Sequence, residues 1–248
     1  METSAPAVKT SGLSTVVNTI AAPSEAFERL RVAPTWGWAC IIAIVLMLIG
    51  AYLQGPAARH AGVVQMQQAM ATNSLFANIP AERKQTMLAQ AGRPGVMTYL
   101  APVIVLFFAV FFNTLLTLIG NALGKGQADF KRLWAGSMNI AVPTLGIGAV
   151  VLGIITSLRS PDSFNSTLDI LRSMPSLAYV VHGSATTTAF ASAISIFSLW
   201  GLFLNATMLR ITAKTSPAVA YTVAVVILLL GALVAAGGTQ VAHNFGMA

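Results

Sequence analysis

Five stretches of this sequence contain no Asp, Glu, Lys or Arg: residues 32–58, 94–124, 133–158, 173–209 and 215–248. An ionised side chain at the centre of a bilayer costs about 2.5–3.5 kcal/mol or more, so charges mark where water begins. Each run can hold the roughly 20 residues that cross ~30 Å of hydrocarbon as a helix, with every backbone polar group paired inside the segment. Five spans are therefore expected, at 36–53, 97–123, 133–158, 186–209 and 218–237. Only 8% of the residues are charged, against about a quarter in soluble domains, and no soluble domain of ~100 residues fits between the runs. The fold class that follows is all-α. It is a polytopic helical membrane protein, a bundle of five transmembrane helices with an N-terminal interfacial amphipathic helix and short helices in the outer loops. Residues 1–35 form the N-terminal segment and 36–248 the membrane domain.

The basic residues set the orientation. With five crossings, one side carries Lys9, Arg29, Arg31, Lys125, Lys131, Arg132, Arg210 and Lys214, and the other Arg59, Arg83, Lys84, Arg93, Arg159 and Arg172. Eight against six favours the first side as cytoplasmic, and five of the eight crowd into two short loops beside the membrane. The N-terminus is expected inside and the C-terminus outside. Glu2, Glu25 and Glu28 precede the first span without an early apolar core, so it reads as an uncleaved anchor and not as a signal peptide. The net charge of +7 does not indicate nucleic acid, because its lysines and arginines are scattered beside apolar runs, where topology and anionic lipid account for them.

Between the spans, periodicity predicts shorter helices. Leu13, Val16, Val17 and Ile20 fall on one helical stripe, and Pro23 restarts the chain with Glu25 in its first turn and Arg29 and Arg31 in its last. This pair is expected to lie in the membrane interface and lead into Trp36 and Trp38; residues 1–11 are expected to form a loose leader. The loop 55–93 predicts one irregular helix around Val63–Met70 and a second at Pro80–Ala91 closed by Gly92. Ser160 and Pro161 predict a helix start, with Phe164, Leu168 and Leu171 as a membrane-facing stripe.

Catalytic chemistry is hard to assemble from these residues. None of the seven acidic side chains lies in a span, so a paired-carboxylate intramembrane hydrolase is excluded. His60, His182 and His243 are far apart, and Cys40 is the single cysteine, which leaves no metal set or disulfide. Gly120–Gly126 lacks the spacing and the Ser/Thr of a phosphate loop and follows a helix. His182-Gly183-Ser184 has no orienting carboxylate nearby. No enzyme activity and no cofactor are expected.

The spans do contain small and amide side chains. Ser184, Thr188 and Ser192 recur every four residues with Ser195 beside them; Gly120 and Gly124 form a GxxxG, and Gly231 with Ala235 a small-xxx-small pair. Such faces let helix backbones approach in lipid, where packing and hydrogen bonds drive association. Asn113, Asn139 and Asn205 around Pro143 are open to two readings, interhelical glue or a polar path.

The stretch Phe111 to Pro143, with its loop Gly124-Lys125-Gly126-Gln127-Ala128-Asp129-Phe130-Lys131, resembles the membrane domain of the Yip family, the Ypt-interacting proteins. Ile196-Phe197-Ser198-Leu199-Trp200, followed by Leu209-Arg210, Ser216-Pro217 and Ala220, resembles that family's fourth span and the turn into its fifth. Pro23, Phe27, Pro34 and Trp36 are similar to the opening of bacterial members. The resemblance implies a five-span helical protein with a cytoplasmic N-terminus. Eukaryotic relatives are linked to Rab-type GTPases, but their Asp-Leu-Tyr-Gly-Pro type segment is absent here. Some bacterial relatives resemble companions of multicomponent ABC exporters.

The expected function is a non-enzymatic scaffold or adaptor. Its partners would be membrane lipids and other integral membrane proteins, ABC exporter subunits among them, or a second copy of the chain, docked through its small-residue faces and the loops bearing Lys125, Lys131, Arg132, Arg210 and Lys214. The alternative is a small permease or lipid-handling bundle with a polar path around Asn113, Asn139, Pro143 and Asn205.

Overall fold

The computed structural model describes residues 12–181 and 183–244, for 241–244 as helix alone. The leader 1–11, His182 and the side chain of His243 lie outside the described residues. In chain order the helices are α1 (Gly12–Ala21), α2 (Pro23–Val32), α3 (Gly37–Thr72), α4 (Ala81–Ala91) and α5 (Val96–Leu123). Next comes α6 (Phe130–Ala141), which runs through a π-helical segment, Val142–Ile147, into α7 (Gly148–Ser157). The chain ends with α8 (Thr167–Arg172), α9 (Ala185–Ala193), α10 (Ile196–Ile211) and α11 (Pro217–Asn244). Among the described residues there is no strand, only an isolated bridge between Ser176 and Ser195.

Among the described residues, four helices are long and apolar enough to cross a membrane: Gly37–Thr72, Val96–Leu123, Phe130–Ser157 and Pro217–Gln240. The span expected at 186–209 is not a single helix. It breaks at Ile194, where Ser195 accepts from Ser198 N at 3.3 Å and Ser198 Oγ accepts from Ser195 N at 2.7 Å. This capping box offers the backbone a new N-terminus, so the chain ends α9 and starts α10. At 16 residues α10 is about 24 Å long, short of the hydrocarbon thickness.

The first span overshoots its expected end. α3 continues past Leu53 through Pro56, Arg59 and His60 to Thr72, so the separate helix expected around Val63–Met70 is its continuation. Charge marked where water begins, but packing carries the helix further: Ala57 and Ala61 are buried against Phe164 and Ile170. Phe164, expected to face the membrane, is fully buried; Ser160 and Pro161 do start a helical turn, but only the short 3-10 segment Pro161–Ser163, and α8 has its own cap at Ser166. In α6–α7, Pro143 has no N–H and its ring would collide with the carbonyl four residues back, and the wider π turn accommodates it. Beside the proline, Thr144 Oγ1 donates to Ile140 O at 2.8 Å, so its hydroxyl is paired within the helix.

The N-terminal helices pack against the core of the bundle. Phe27 and Leu30 are fully buried in a cluster with Leu133, Leu204, Met208 and Leu209, and Thr212 Oγ1 donates to Phe27 O at 3.1 Å. On α1, Thr15, Val16 and Thr19 face inward while Leu13, Val17 and Ile20 are exposed. A second cluster joins Ala43 and Met47 of α3 to Leu106, Val110, Met138 and Val142. α3 and α7 meet closely, because a Cβ on Gly50 would lie 2.6 Å from the Ala149 carbonyl and one on Gly153 2.8 Å from Leu53 Cβ.

Candidate functional site

The polar residues inside the helices form a hydrogen-bonded centre. Asn113 of α5 sits one helical turn before Thr117, whose hydroxyl donates back to Asn113 O at 2.9 Å. Its amide points between α6 and α10, donating to Ser137 Oγ at 2.8 Å and to Asn205 Oδ1 at 3.0 Å. Asn205, buried on α10, donates to Gly201 O at 3.0 Å. Two of the expected amides therefore come together, with Ser137 as a third member that the sequence did not single out.

Asn139 does not join them. Two residues beyond Ser137 it faces another side of α6, and its Nδ2 reaches Thr35 O at 3.0 Å and Ala135 O at 2.8 Å, anchoring the chain between α2 and α3. Its Oδ1 is buried without a partner, as is Ser192 Oγ. Pro143 is buried in the π turn. The four residues of the expected polar path thus lie in three separate settings.

The small-residue faces divide in the same way. Gly120 and Gly124 seat α5 against α11: a Cβ on Gly120 would lie 2.5 Å from Val223 Cγ2, and one on Gly124 2.9 Å from Val219 Cγ1. On α9, Thr188 and Ser192 are buried, while Ser184 caps α9 and Ser195 caps α10. On α11 the inward face is Ala220, Ala224, Ala232 and Ala236. Gly231 points outward with nothing within 4 Å of its Cβ position, and Ala235 is half-buried, so that pair lies at the edge of the internal packing.

The basic residues gather at opposite ends of α6–α7. At one end the loops 124–129 and 212–216 are joined by Gln127 N donating to Ala213 O at 2.8 Å. Asn121 clasps Ala128 through both backbone groups. Lys125 and Lys214 take left-handed backbone conformations at φ 52° and 55°, turning both loops tightly. Lys131, Arg132 and Arg210 flank these loops. At the other end, Arg159 donates to Ser173 Oγ at 3.0 Å, Arg172 to Thr188 Oγ1 at 3.0 Å, and His60 Nδ1 lies 3.3 Å from Asp162 Oδ1. Among the described residues no three His, Cys, Asp or Glu side chains converge as a metal set.

The architecture of apolar helices, broken α9–α10 pair and joined basic loops can be set beside known proteins. A family model for the Yip1 domain matches residues 17–236. The chain belongs to the Yip1 domain family. It is 26% identical over 231 residues, covering 91% of each chain, to "Membrane protein YknW" of Bacillus subtilis (strain 168). No solved structure matches it. As a Yip1-family protein with four long apolar helices, it is a multi-pass membrane protein.

Proposed function

We propose that this Yip1-family protein is a non-enzymatic scaffold that docks a helix of another integral membrane protein, or of a second copy of itself, along the outer face of α11. The observation that carries the reading is a stripe at Gly231, Ala235 and Gly238, spaced i, i+4, i+7. Gly231 and Gly238 are exposed, and nothing lies within 4 Å of either Cβ position. A glycine in a helix interior costs about 1 kcal/mol relative to alanine, and lipid rewards no such gap. A second backbone packed into the stripe does.

Five crossings accompany this reading, with α9 and α10 together making the fourth, the basic loops at Lys125 and Lys214 in the cytoplasm, and the exposed apolar edge of α1 resting in the interface. Its support is the partition of basic residues, eight against six. The membrane is a bacterial inner membrane, and an accessory place beside an ABC exporter is the partnership suggested by the likeness to bacterial members. A permease or lipid-handling role draws less support, since Asn113, Ser137 and Asn205 occupy one another and Asn139 turns away.

Purification of the full chain in mild detergent, followed by mass spectrometry, tests the reading. The expected result is a stoichiometric partner or a self-assembly that Gly231→Leu with Gly238→Leu reduces at least tenfold without loss of the folded chain. A lone monomer, or association indifferent to both substitutions, contradicts it.

A further inference from the structure

At the end of the bundle away from the lysine loops, α8 and the segment 173–181 fold back over α7, α9 and α10 and leave two hollows that share Tyr179. The first, about 320 Å³, is polar, lined by Arg159, Ser163, Asp169, Arg172 and Ser173 with Ile155 as floor. The second, about 350 Å³, is apolar, lined by Pro175, Leu177, Val180, Ile194, Ile196 and Leu199.

Both guanidinium groups of the polar hollow are held in place. Arg159 lies 4.7 Å from the ring centroid of fully buried Phe164 and donates to buried Ser173. Arg172 donates to buried Thr188, and its Nη1 is 3.9 Å from Asp169 Oδ1. Asp169 also accepts from Asn165 N at 2.9 Å through its other oxygen, tying that carboxylate to the loop. Two cations face one carboxylate, and each guanidinium has five donors in a planar fork suited to phosphate oxygens. Arg159 follows the end of α7 by two residues, where a span leaves the hydrocarbon. From there the apolar hollow runs to Ile196 and Leu199, both exposed on α10.

A charged head beside an apolar slot is the shape of an amphiphile. We propose that the paired hollows bind one anionic phospholipid, its phosphate on Arg159 and Arg172 and an acyl chain along Leu177, Ile196 and Leu199. The site is separate from the α11 stripe, and its occupancy does not rest on the docking reading. A free phosphate monoester offers the arginines the same oxygens, but it leaves the apolar slot unfilled.

The full-length protein in mild detergent, titrated with phosphatidylglycerol, phosphatidylcholine and glycerol 3-phosphate and followed by native mass spectrometry and thermal unfolding, separates these sources. Phosphatidylglycerol is expected to be retained at least tenfold better than phosphatidylcholine and to raise Tm, with glycerol 3-phosphate doing neither. Arg159→Gln with Arg172→Gln should cut retention at least tenfold. Leu199→Trp, which changes an exposed side chain and obstructs the slot while leaving both arginines, should also reduce it. Arg172→Lys, keeping the charge but losing the fork, should fall between. Equal retention of the two lipids, indifference to Leu199→Trp, or glycerol 3-phosphate binding as tightly as lipid overturns the proposal.

Discussion

Asn113 Nδ2 on α5 lies 3.0 Å from Asn205 Oδ1 on α10, and the same nitrogen lies 2.8 Å from Ser137 Oγ on α6, so a single amide ties three helices. Hydrogen bonds between helices in lipid are worth about 0.6 kcal/mol on average and reach about 1.7. Asn113→Ala should therefore lower stability by about 1 kcal/mol in detergent unfolding. A double-mutant cycle with Asn205→Ala should give a coupling of about 0.6 kcal/mol. Strict additivity would separate the two residues energetically.

Gly120 and Gly50 make two close approaches of different kinds. The Cβ of Gly120→Ala would meet Val223 Cγ2 at 2.5 Å, a side chain, whereas that of Gly50→Ala would meet the Ala149 carbonyl carbon and oxygen at 2.6 Å, which is backbone. Each substitution should cost about 1–3 kcal/mol. Val223→Ala should recover most of the loss for Gly120→Ala, and no truncation at Ala149 should do so for Gly50→Ala. Failure of Val223→Ala to rescue would show that α5 and α11 do not meet at this point.

Phe27 is fully buried between α2, α6 and α10, so the N-terminal helices should behave as part of the folded unit. Phe27→Ala should lower stability by about 3–5 kcal/mol. A loss under about 1 kcal/mol, measured by the same unfolding assay, would place α2 at the surface.

Two loops at opposite ends of α6–α7 give a test of topology. In a Cys40→Ala background, Gln127→Cys should resist a membrane-impermeant maleimide on intact cells and Asp162→Cys should react. Labelling of both from the same side would contradict an odd number of crossings between them, and the reverse pattern would invert the orientation.

Charge-free runs made α3, α5, α6–α7 and α11 legible, because the cost of ions in hydrocarbon leaves a mark in the sequence that needs no tertiary knowledge. The ends of these helices were less legible. α3 passes Arg59 because Ala57 and Ala61 find Phe164 and Ile170, contacts about a hundred residues away in the chain. The break at Ser195 did carry a local signal, serines at 195 and 198 opening an apolar run, but hydropathy averaged over 173–209 concealed it. Gly50 has Leu46 and Gln54 four positions away and so carries no small-xxx-small signal, whereas Gly153 has Ala149 and Ser157 and Gly120 has Gly124, and only the last pair is a strict GxxxG. The amides were visible as residues, but which of them meet depends on the rotation of α6, and that rotation puts Ser137 on one side and Asn139 on the other.

The docking role of α11 is tested most directly by cysteine crosslinking in native membranes. In the Cys40→Ala background, Gly231→Cys and Gly238→Cys should each form an adduct with a second polypeptide, another copy or a distinct subunit, while Leu229→Cys, exposed on the same helix, should form at least tenfold less. Equal adduct at all three positions, or none at Gly231→Cys and Gly238→Cys, would leave the stripe facing lipid and contradict the scaffold.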